Sequence, residues 1–250
     1  MFEISSTVLL IALCFLAAAA LYSSVGHAGA SGYLAVMALF GLAPETMRPT
    51  ALLLNILVAL IASYKFYRAG AFSWSLLWPF ALTSVPAAFV GGRLSLPDDT
   101  YRAVVGMVLL YAAWRMYQAA RASSGGEPPA IRPARWIALL AGLGIGLLSG
   151  LTGVGGGIFL SPLLLMMGWA RMRESAGVAA VFILVNSTSG LLGVLSLVQN
   201  IPSGIALWAP AVLVGGWVGA EYGSRRLATP ILRQLLCVVL LLAGLKMIFT

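Results

Sequence analysis

The sequence predicts an all-α polytopic membrane protein made of two inverted structural repeats, and three observations lead to this fold class. Apolar residues make up 61% of the 250-residue chain and charged residues only 9%, which is far from the composition of a soluble domain. Four stretches contain no Asp, Glu, Lys or Arg at all, and they cover residues 4–44, 69–92, 136–170 and 175–220. The third observation is that the pattern of glycine, proline, asparagine and basic residues in the first half recurs in the second half.

The recurrence has two closely related spacings. At 127 residues, Gly26, Gly29 and Gly41 correspond to Gly153, Gly156 and Gly168. At 131 residues the pairs are Asn55 with Asn186, Pro79 with Pro210, Gly92 with Gly223, Arg102 with Arg233, and Arg115 with Lys246. A duplicated membrane chain in which each half carries a glycine-interrupted apolar segment is typical of secondary transporters.

Ten hydrophobic segments can be drawn, eight of the spanning type and two short broken or re-entrant pieces. They cover residues 4–22, 31–42 (short), 48–67, 74–94, 101–118, 136–150, 157–168 (short), 175–197, 204–221 and 232–249. A polar segment rich in Gly, Ser and Pro separates the halves. The sequence therefore divides into a first membrane repeat (1–120), a cytoplasmic linker (121–135) and a second membrane repeat (136–250).

The distribution of basic residues favours inverted over parallel repeats. If each half crossed the membrane four times, the 15 Lys and Arg residues would divide almost evenly between the two sides. If the first long segment of each half instead enters the membrane and the short segment after it returns to the same side, eleven basic residues fall on the side of the linker. Because cytoplasmic loops are enriched in Lys and Arg, we expect a cell (inner) membrane protein whose linker is cytoplasmic and whose termini are both outside.

The densest motif lies in the second half, where four of the five residues from Gly153 to Gly157 are glycines. Such a run does not sustain a helix, and broken backbone at membrane depth is tolerated where protein buries it or where it lines a polar cavity. A helix that begins near Gly157 would direct its free N–H groups and the positive end of its dipole into that cavity, which makes an anion site. The candidate binding residues are Thr152, Gly153, Gly155, Gly156 and Gly157.

The alternative for these glycines is that they only let helices approach closely. We assign that role to Gly142, Gly146, Gly150, Gly219 and Gly223, which have the spacing of helix-packing faces. The Trp residues 74, 78, 136, 169, 208 and 217 mostly fall near segment ends and are interpreted as interface anchors.

The first half carries a diluted version of the glycine motif. Its candidate binding residues are Gly26, His27, Gly29, Ser31 and Gly32, and further donors would come from Thr50, Asn55, Asn186 and Ser187.

Three ionisable residues each allow two interpretations. His27 is either a proton carrier, because its ordinary pKa lies near neutrality, or a neutral imidazole bonded to a carbonyl. Arg48 either pairs with Glu45 at the membrane edge or helps to gather an anion. Glu221 either couples transport to a cation or proton or pairs with Arg225 one helical turn later.

The motif from Gly153 to Leu163, followed by Ala176-Gly177 and then Asn186-Ser187, resembles the sulfite exporter TauE/SafE family. The duplicated halves and the polar central linker extend the resemblance over the whole chain. It implies transport of small sulfur-containing anions such as sulfite, thiosulfate or organosulfonates.

The leading functional hypothesis is a secondary transporter for such an anion, working by alternating access at the glycine breaks. A passive anion channel is an alternative, and an intramembrane enzyme is disfavoured because one His, two Cys and seven acids form no cluster along the chain. We expect no cofactor or metal, and no nucleic-acid partner because the basic residues are scattered at segment ends. The lipid bilayer is the expected surrounding, while a coupling proton or sodium, a homodimer, and export against import all stay open.

Overall fold

The computed structural model describes residues 6–121, 131–195, 202, 204–225 and 230–249, and it contains ten α-helices within these ranges. They are α1 (Ser6–Ser23), α2 (Ala30–Leu39), α3 (Pro44–Arg68), α4 (Trp74–Arg93), α5 (Asp98–Arg121), α6 (Arg135–Thr152), α7 (Gly157–Met166), α8 (Met172–Val194), α9 (Ile205–Arg225) and α10 (Pro230–Phe249). No strand occurs in the described residues. Most of the predicted linker, residues 122–130, lies outside them.

Within the described ranges, six helices are long and apolar enough to cross a membrane: α1, α3, α4, α6, α8 and α9. The shorter apolar helices are α2, α7 and the Leu240–Phe249 part of α10. This confirms a polytopic all-helical membrane protein, and the division into eight spanning and two short segments stays a prediction.

Glycine stripes hold two pairs of parallel helices together. On α6, a Cβ atom added to Gly142, Gly146 or Gly150 would meet the carbonyl oxygens of Phe80, Ser84 and Ala88 on α4, respectively. On α9, a Cβ atom added to Gly219 would meet the carbonyl oxygen of Ala20 on α1, and one added to Gly223 would meet that of Ser24, just after α1. The packing role predicted for these five glycines is confirmed, because only a residue without a side chain allows the backbones to approach this closely.

Two other helix pairs run antiparallel. The first turns of α3 share a cavity with Val194 at the end of α8, while the last turn of α3 shares another with Arg173 at the start of α8. Gly106, early in α5, packs against Gly244 and Ile248, late in α10. We call the side on which α5 ends and α6 begins the linker side, and the opposite one the far side.

The two short helices turn back towards the sides from which their preceding helices come. Just after α7, the carbonyl of Gly168 accepts the N–H of Ile131, four residues before α6, at 2.9 Å. At the end of α2, the carbonyl of Leu39 accepts a hydrogen bond from Lys246 of α10 at 2.9 Å. Arg115 of α5, which corresponds to Lys246 in the sequence repeat, donates to the sulfur of Met166 at the end of α7 at 3.4 Å. A cation at each of these helix ends is electrostatically favourable.

The Trp residues divide into two groups. Trp74, Trp78, Trp136 and Trp217 are 43–66% exposed, as interface anchors are. The prediction is wrong for Trp169 and Trp208, which are only 6% and 3% exposed. Trp208 packs edge-on against Phe15 at 5.3 Å and donates its ring N–H to the carbonyl of Val8 at 3.2 Å, so it fastens α9 to α1.

Candidate functional site

Both predicted helix breaks are present, and left-handed glycines make them. In the first, α1 ends at Ser23, α2 begins at Ala30, and Gly26 and Gly29 have φ angles of 79° and 106°. Residues with a Cβ rarely adopt such angles. A Cβ at Gly26 would also collide with the backbone of Ala176 on α8.

In the second break, three of the four residues between α6 and α7 are left-handed. Gly153, Gly155 and Gly156 have φ angles of 84°, 80° and 79°. The hydrogen bonds of α7 begin with the N–H of Phe159, which donates to the carbonyl of Gly156 at 3.1 Å. The N–H groups of Gly157 and Ile158 therefore precede the first hydrogen bonds of the helix and are not bonded within it, as is true of the first amides of any helix.

Asn55 joins the two breaks. Its Oδ1 accepts the N–H of Ala30, the first residue of α2, at 3.2 Å. Its Nδ2 donates to Ser187 Oγ of α8 at 3.0 Å and to the carbonyl of Val154 in the second break at 3.4 Å. Asn55 is fully buried and is the twelfth of the 25 residues of α3. One side chain near the midpoint of a long helix therefore caps the first short helix and holds the second break.

His27 makes a second link between the breaks. Its Nε2 lies 3.1 Å from the carbonyl oxygen of Gly157. Because a carbonyl oxygen only accepts, this contact assigns the proton to Nε2. The ring is half-buried and meets the Tyr22 ring edge-on at 6.5 Å. This is the geometry of the second interpretation of His27, an imidazole bonded to a carbonyl.

Other polar groups of the first break bond within their own half. Ser31 Oγ donates to the Tyr22 hydroxyl at 2.8 Å, and the Tyr33 hydroxyl donates to the carbonyl of Ala28 at 2.7 Å. A Cβ at Gly29 would lie 2.7 Å from the Tyr33 hydroxyl. Gly32 faces α1, where a Cβ would lie 2.9 Å from Tyr22 and equally close to the Cβ of residue 18.

The glycines of the second break are surrounded by side chains from three helices. A Cβ at Gly155 would collide with Asn55 Nδ2 and lie 2.7 Å from Ser187 Oγ. A Cβ at Gly156 would lie 2.9 Å from the Phe182 ring. Just before the break, the Thr152 hydroxyl donates to the carbonyl of residue 148 at 2.7 Å, and the carbonyl of Thr152 accepts the hydroxyl of residue 101 at 3.3 Å.

Among the buried polar groups near these elements that make no hydrogen bond within the described residues, three belong to α3, α6 and α8. They are Ser149 Oγ, Asn186 Oδ1 and Thr50 Oγ1, and their residues are at most 1% exposed. The Nδ2 of Asn186 donates to the carbonyl of Phe182 in its own helix at 2.8 Å. The Cβ of Ser149 lies 3.5 Å from the position that a Cβ at Gly156 would occupy, beside the start of α7.

Ser149 was not among the candidates chosen from the sequence. It lies one helical turn before Gly153, and its carbonyl accepts the Gly153 N–H at 2.9 Å. A hydroxyl one turn before a glycine run is the sequence signal that points to it, since residues four apart lie on the same face of a helix.

Arg48 holds the ends of two helices. Its guanidinium donates to the carbonyls of Gly92 and Leu94 at the end of α4, the latter at 3.0 Å, and to that of Leu151 near the end of α6 at 3.4 Å. The residue is 7% exposed. A cation at helix C-termini is stabilised by the dipoles of both helices. A Cβ at Gly153 would lie 3.1 Å from Arg48 Cγ, so the arginine borders the second break.

Glu221 forms an ion pair with Lys65, at the other end of α3. The Lys65 ammonium also lies 3.9 Å from the centre of the Trp217 ring, a favourable position for a cation. The side chain of Arg225, the partner considered from the sequence, is not among the described ones.

Two cavities open at the opposite ends of α3. The linker-side cavity has a volume of about 710 Å³ and is lined by Lys65, Arg68, Arg173 and Glu221, among others. The far-side cavity has a volume of about 190 Å³, and its charged lining residues are Arg48, Glu45 and Asp98. Asn55 and the two breaks lie between them along α3. Within the described residues, no three His, Cys, Asp or Glu side chains are grouped as a metal site would require.

Comparison with known proteins gives one family and one curated relative. The profile of the family described as sulfite exporter TauE/SafE matches residues 10–247. The probable membrane transporter protein y4hK of Sinorhizobium fredii is 40% identical over 240 residues, which are 96% of this chain and 97% of the relative. No solved structure shows significant similarity.

Proposed function

We propose, from the premise that this chain belongs to the sulfite exporter TauE/SafE family, that it is a secondary transporter for a small sulfur-containing anion. Membership makes it a membrane transporter, and the anion and the mechanism are the parts that we propose. Sulfite is the first candidate substrate, because the family is described as sulfite exporters, and thiosulfate and organosulfonates are the further candidates that we propose.

The observation that carries the proposal is the buried N-terminus of α7. Its first amides, those of Gly157 and Ile158, precede the helical ladder and carry the positive end of the helix dipole. The Ser149 hydroxyl lies beside this helix start, is fully buried, and makes no hydrogen bond within the described residues. Amides and a hydroxyl are donors that suit the oxygens of an anion without a charged side chain.

We also propose that the two halves are inverted repeats. The antiparallel arrangement of α3 with α8, and of α5 with α10, supports this, because counterparts in parallel repeats would run the same way. The same two-fold relation between the halves maps the parallel pair α1–α9 onto the parallel pair α6–α4. Arg115 and Lys246, paired by sequence, contact the ends of opposite short helices, as that symmetry requires.

In the proposed mechanism, the unit made of the two breaks rocks against the other helices, and access alternates between the two cavities. α3 and α8 run through the middle of the fold and carry Asn55 and Ser187, which touch at 3.0 Å. The charge bias of the sequence supports a cytoplasmic linker side. The larger cavity then faces the cytoplasm.

Uptake of radiolabelled sulfite, thiosulfate and sulfoacetate into proteoliposomes tests the proposal. We expect saturable uptake of at least one anion, with competition among the others. Gly155→Ala should abolish it, and Gly168→Ala, which imposes a side chain on an equally left-handed but open glycine, should not. A flux that rises linearly with concentration would indicate a channel, and no flux of any sulfur anion would refute the substrate class.

A further inference from the structure

The linker-side cavity differs from the far-side cavity in both size and charge. It lies between the end of α3, the start of α8 and the end of α9, and its volume is about 710 Å³ against about 190 Å³. Among its described lining residues, the three cations Lys65, Arg68 and Arg173 face one carboxylate, Glu221. On the far side the balance is reversed, because one arginine faces two carboxylates. A cavity lined by an excess of one sign concentrates ions of the opposite sign.

Two of the three cations hold the end of α9 in place. Lys65 pairs with Glu221 of α9 and lies over the ring of Trp217, from the same helix. Arg173 donates to the carbonyl of Ser224, in the last turn of α9, at 2.8 Å. The Lys65 and Glu221 side chains are 16% and 34% exposed, so an ion in the cavity can reach the pair.

The end of α9 is connected to the first break. Gly223 lies against the carbonyl of Ser24, at the junction of α1 with the break. Beside the cavity, a buried cluster of alanines and Phe66 fills the contact between α3, α8 and α9, and it includes Ala176 and Ala220. Ala176 also touches Gly26. A movement of α9 away from α3 would therefore open the path from the cavity to the breaks.

We propose that the linker-side cavity is the loading site for the transported oxyanion, and that the anion replaces Glu221 on Lys65. This inference rests on the proposed function. We call the Lys65–Glu221 ion pair the latch, because it joins α3 to α9. The transported anion breaks it, since the single ammonium of Lys65 binds either the Glu221 carboxylate or the oxygens of the anion. Lys65 is ten residues beyond Asn55 on α3, about 15 Å along the helix axis, so loading precedes binding at the breaks. With the linker cytoplasmic, this order corresponds to export.

The test measures sulfoacetate binding by calorimetry to the full-length protein in phosphatidylcholine nanodiscs. Lys65→Gln should weaken binding by about tenfold, as expected when a charge-assisted hydrogen bond is lost. Glu221→Gln should tighten binding, because it removes the competing carboxylate. Arg93→Gln is the matched control, since Arg93 is an exposed cation at the far end of α4, and it should leave the affinity unchanged. In oriented proteoliposomes, Glu221→Gln should lower KM for uptake from the linker side only.

Opposite effects of the two substitutions support the latch, whereas a pair with only a structural role would lower melting temperature and affinity together in both variants. That result overturns the inference. Saturable uptake with unchanged affinities in both variants also overturns it and leaves the proposed function standing. If phosphatidylglycerol displaces sulfoacetate in the wild type, and Lys65→Gln removes this effect, the cavity holds a lipid phosphate and the cargo assignment is wrong. If no sulfur anion binds or is taken up, both proposals fall.

Discussion

The two helix breaks have related sequences but use their polar groups differently. In the first, the N-terminus of α2 is capped by Asn55, and the hydroxyls of Ser31 and Tyr33 are bonded within the first half. In the second, the carbonyls of Val154 and Gly157 accept bonds from the first half. Near its amides, the Ser149 hydroxyl has no partner in the described residues. The first break is therefore a clamp, because its polar groups are bonded, whereas in the proposed function the second break keeps donors available for an anion.

The same contrast holds for two equivalent asparagines. Asn55 Oδ1 accepts an amide at the start of a short helix, whereas Asn186 Oδ1 has no hydrogen bond in the part of the chain that is described. If the two breaks arose by duplication, as we propose, this difference suits the first to stability and the second to binding. Four predictions test this division.

The largest effect is expected for Gly155→Ala. A left-handed Ala costs about 1–2 kcal/mol, and the new Cβ collides with Asn55 and Ser187, which adds about 1–3 kcal/mol of overpacking. We expect loss of uptake and a large fall in melting temperature in detergent. Gly168→Ala, with φ of +64° and no atom within 4 Å of the new Cβ, should show the backbone cost alone. Equal melting temperatures for the two variants would contradict the close contact.

Asn55→Ala is expected to have the next largest effect, and mainly on stability. It leaves the Ala30 amide without its acceptor, and a buried group left unsatisfied costs about 1–3 kcal/mol. Asn186→Ala is the matched change and should cost less, because the one hydrogen bond of its side chain among the described residues is to its own helix. Thermal melting of both variants compares the two. A larger loss for Asn186→Ala would reverse the assignment of the clamp to the first break.

Ser149→Ala should change binding rather than stability. Removing a hydroxyl that has no partner in the described structure leaves the melting temperature nearly unchanged, while the loss of a hydrogen bond to an anion weakens binding by about tenfold. Ser84→Ala removes an equally buried hydroxyl in the α4–α6 contact, also without a partner there, and should leave binding intact. Calorimetry with sulfoacetate measures both. If the affinities match, Ser149 is not part of the site.

The smallest effect is expected for His27→Gln. Glutamine keeps an N–H donor for the Gly157 carbonyl, so uptake should fall by less than about threefold, while His27→Ala loses the bond and costs about 0.5–1.5 kcal/mol of stability. Uptake measured from pH 6 to pH 8 completes the test. Loss of a proton-driven component in the glutamine variant would instead identify His27 as a proton carrier.

The helices and their breaks could be predicted from the sequence with good accuracy. Hydropathy and glycine clustering act locally, and a run such as Gly153–Gly157 interrupts a helix whatever surrounds it. The packing glycines of α6 and α9 were also predictable, because their spacing alone places them on one helix face. Trp169 and Trp208 were misassigned, since a position near a segment end does not tell whether lipid or another helix lies beside it.

The contacts between the halves could not be read from the sequence. Lys65 with Glu221, Asn55 with Ser187 and His27 with Gly157 are each separated by at least 130 residues, and no local pattern encodes such pairs. Composition and glycine clustering by themselves determined a helical membrane protein with two glycine breaks. Only the tertiary structure decided which break is capped and which amides stay ahead of a helical ladder, because hydrogen-bond partners depend on how the helices cross in space.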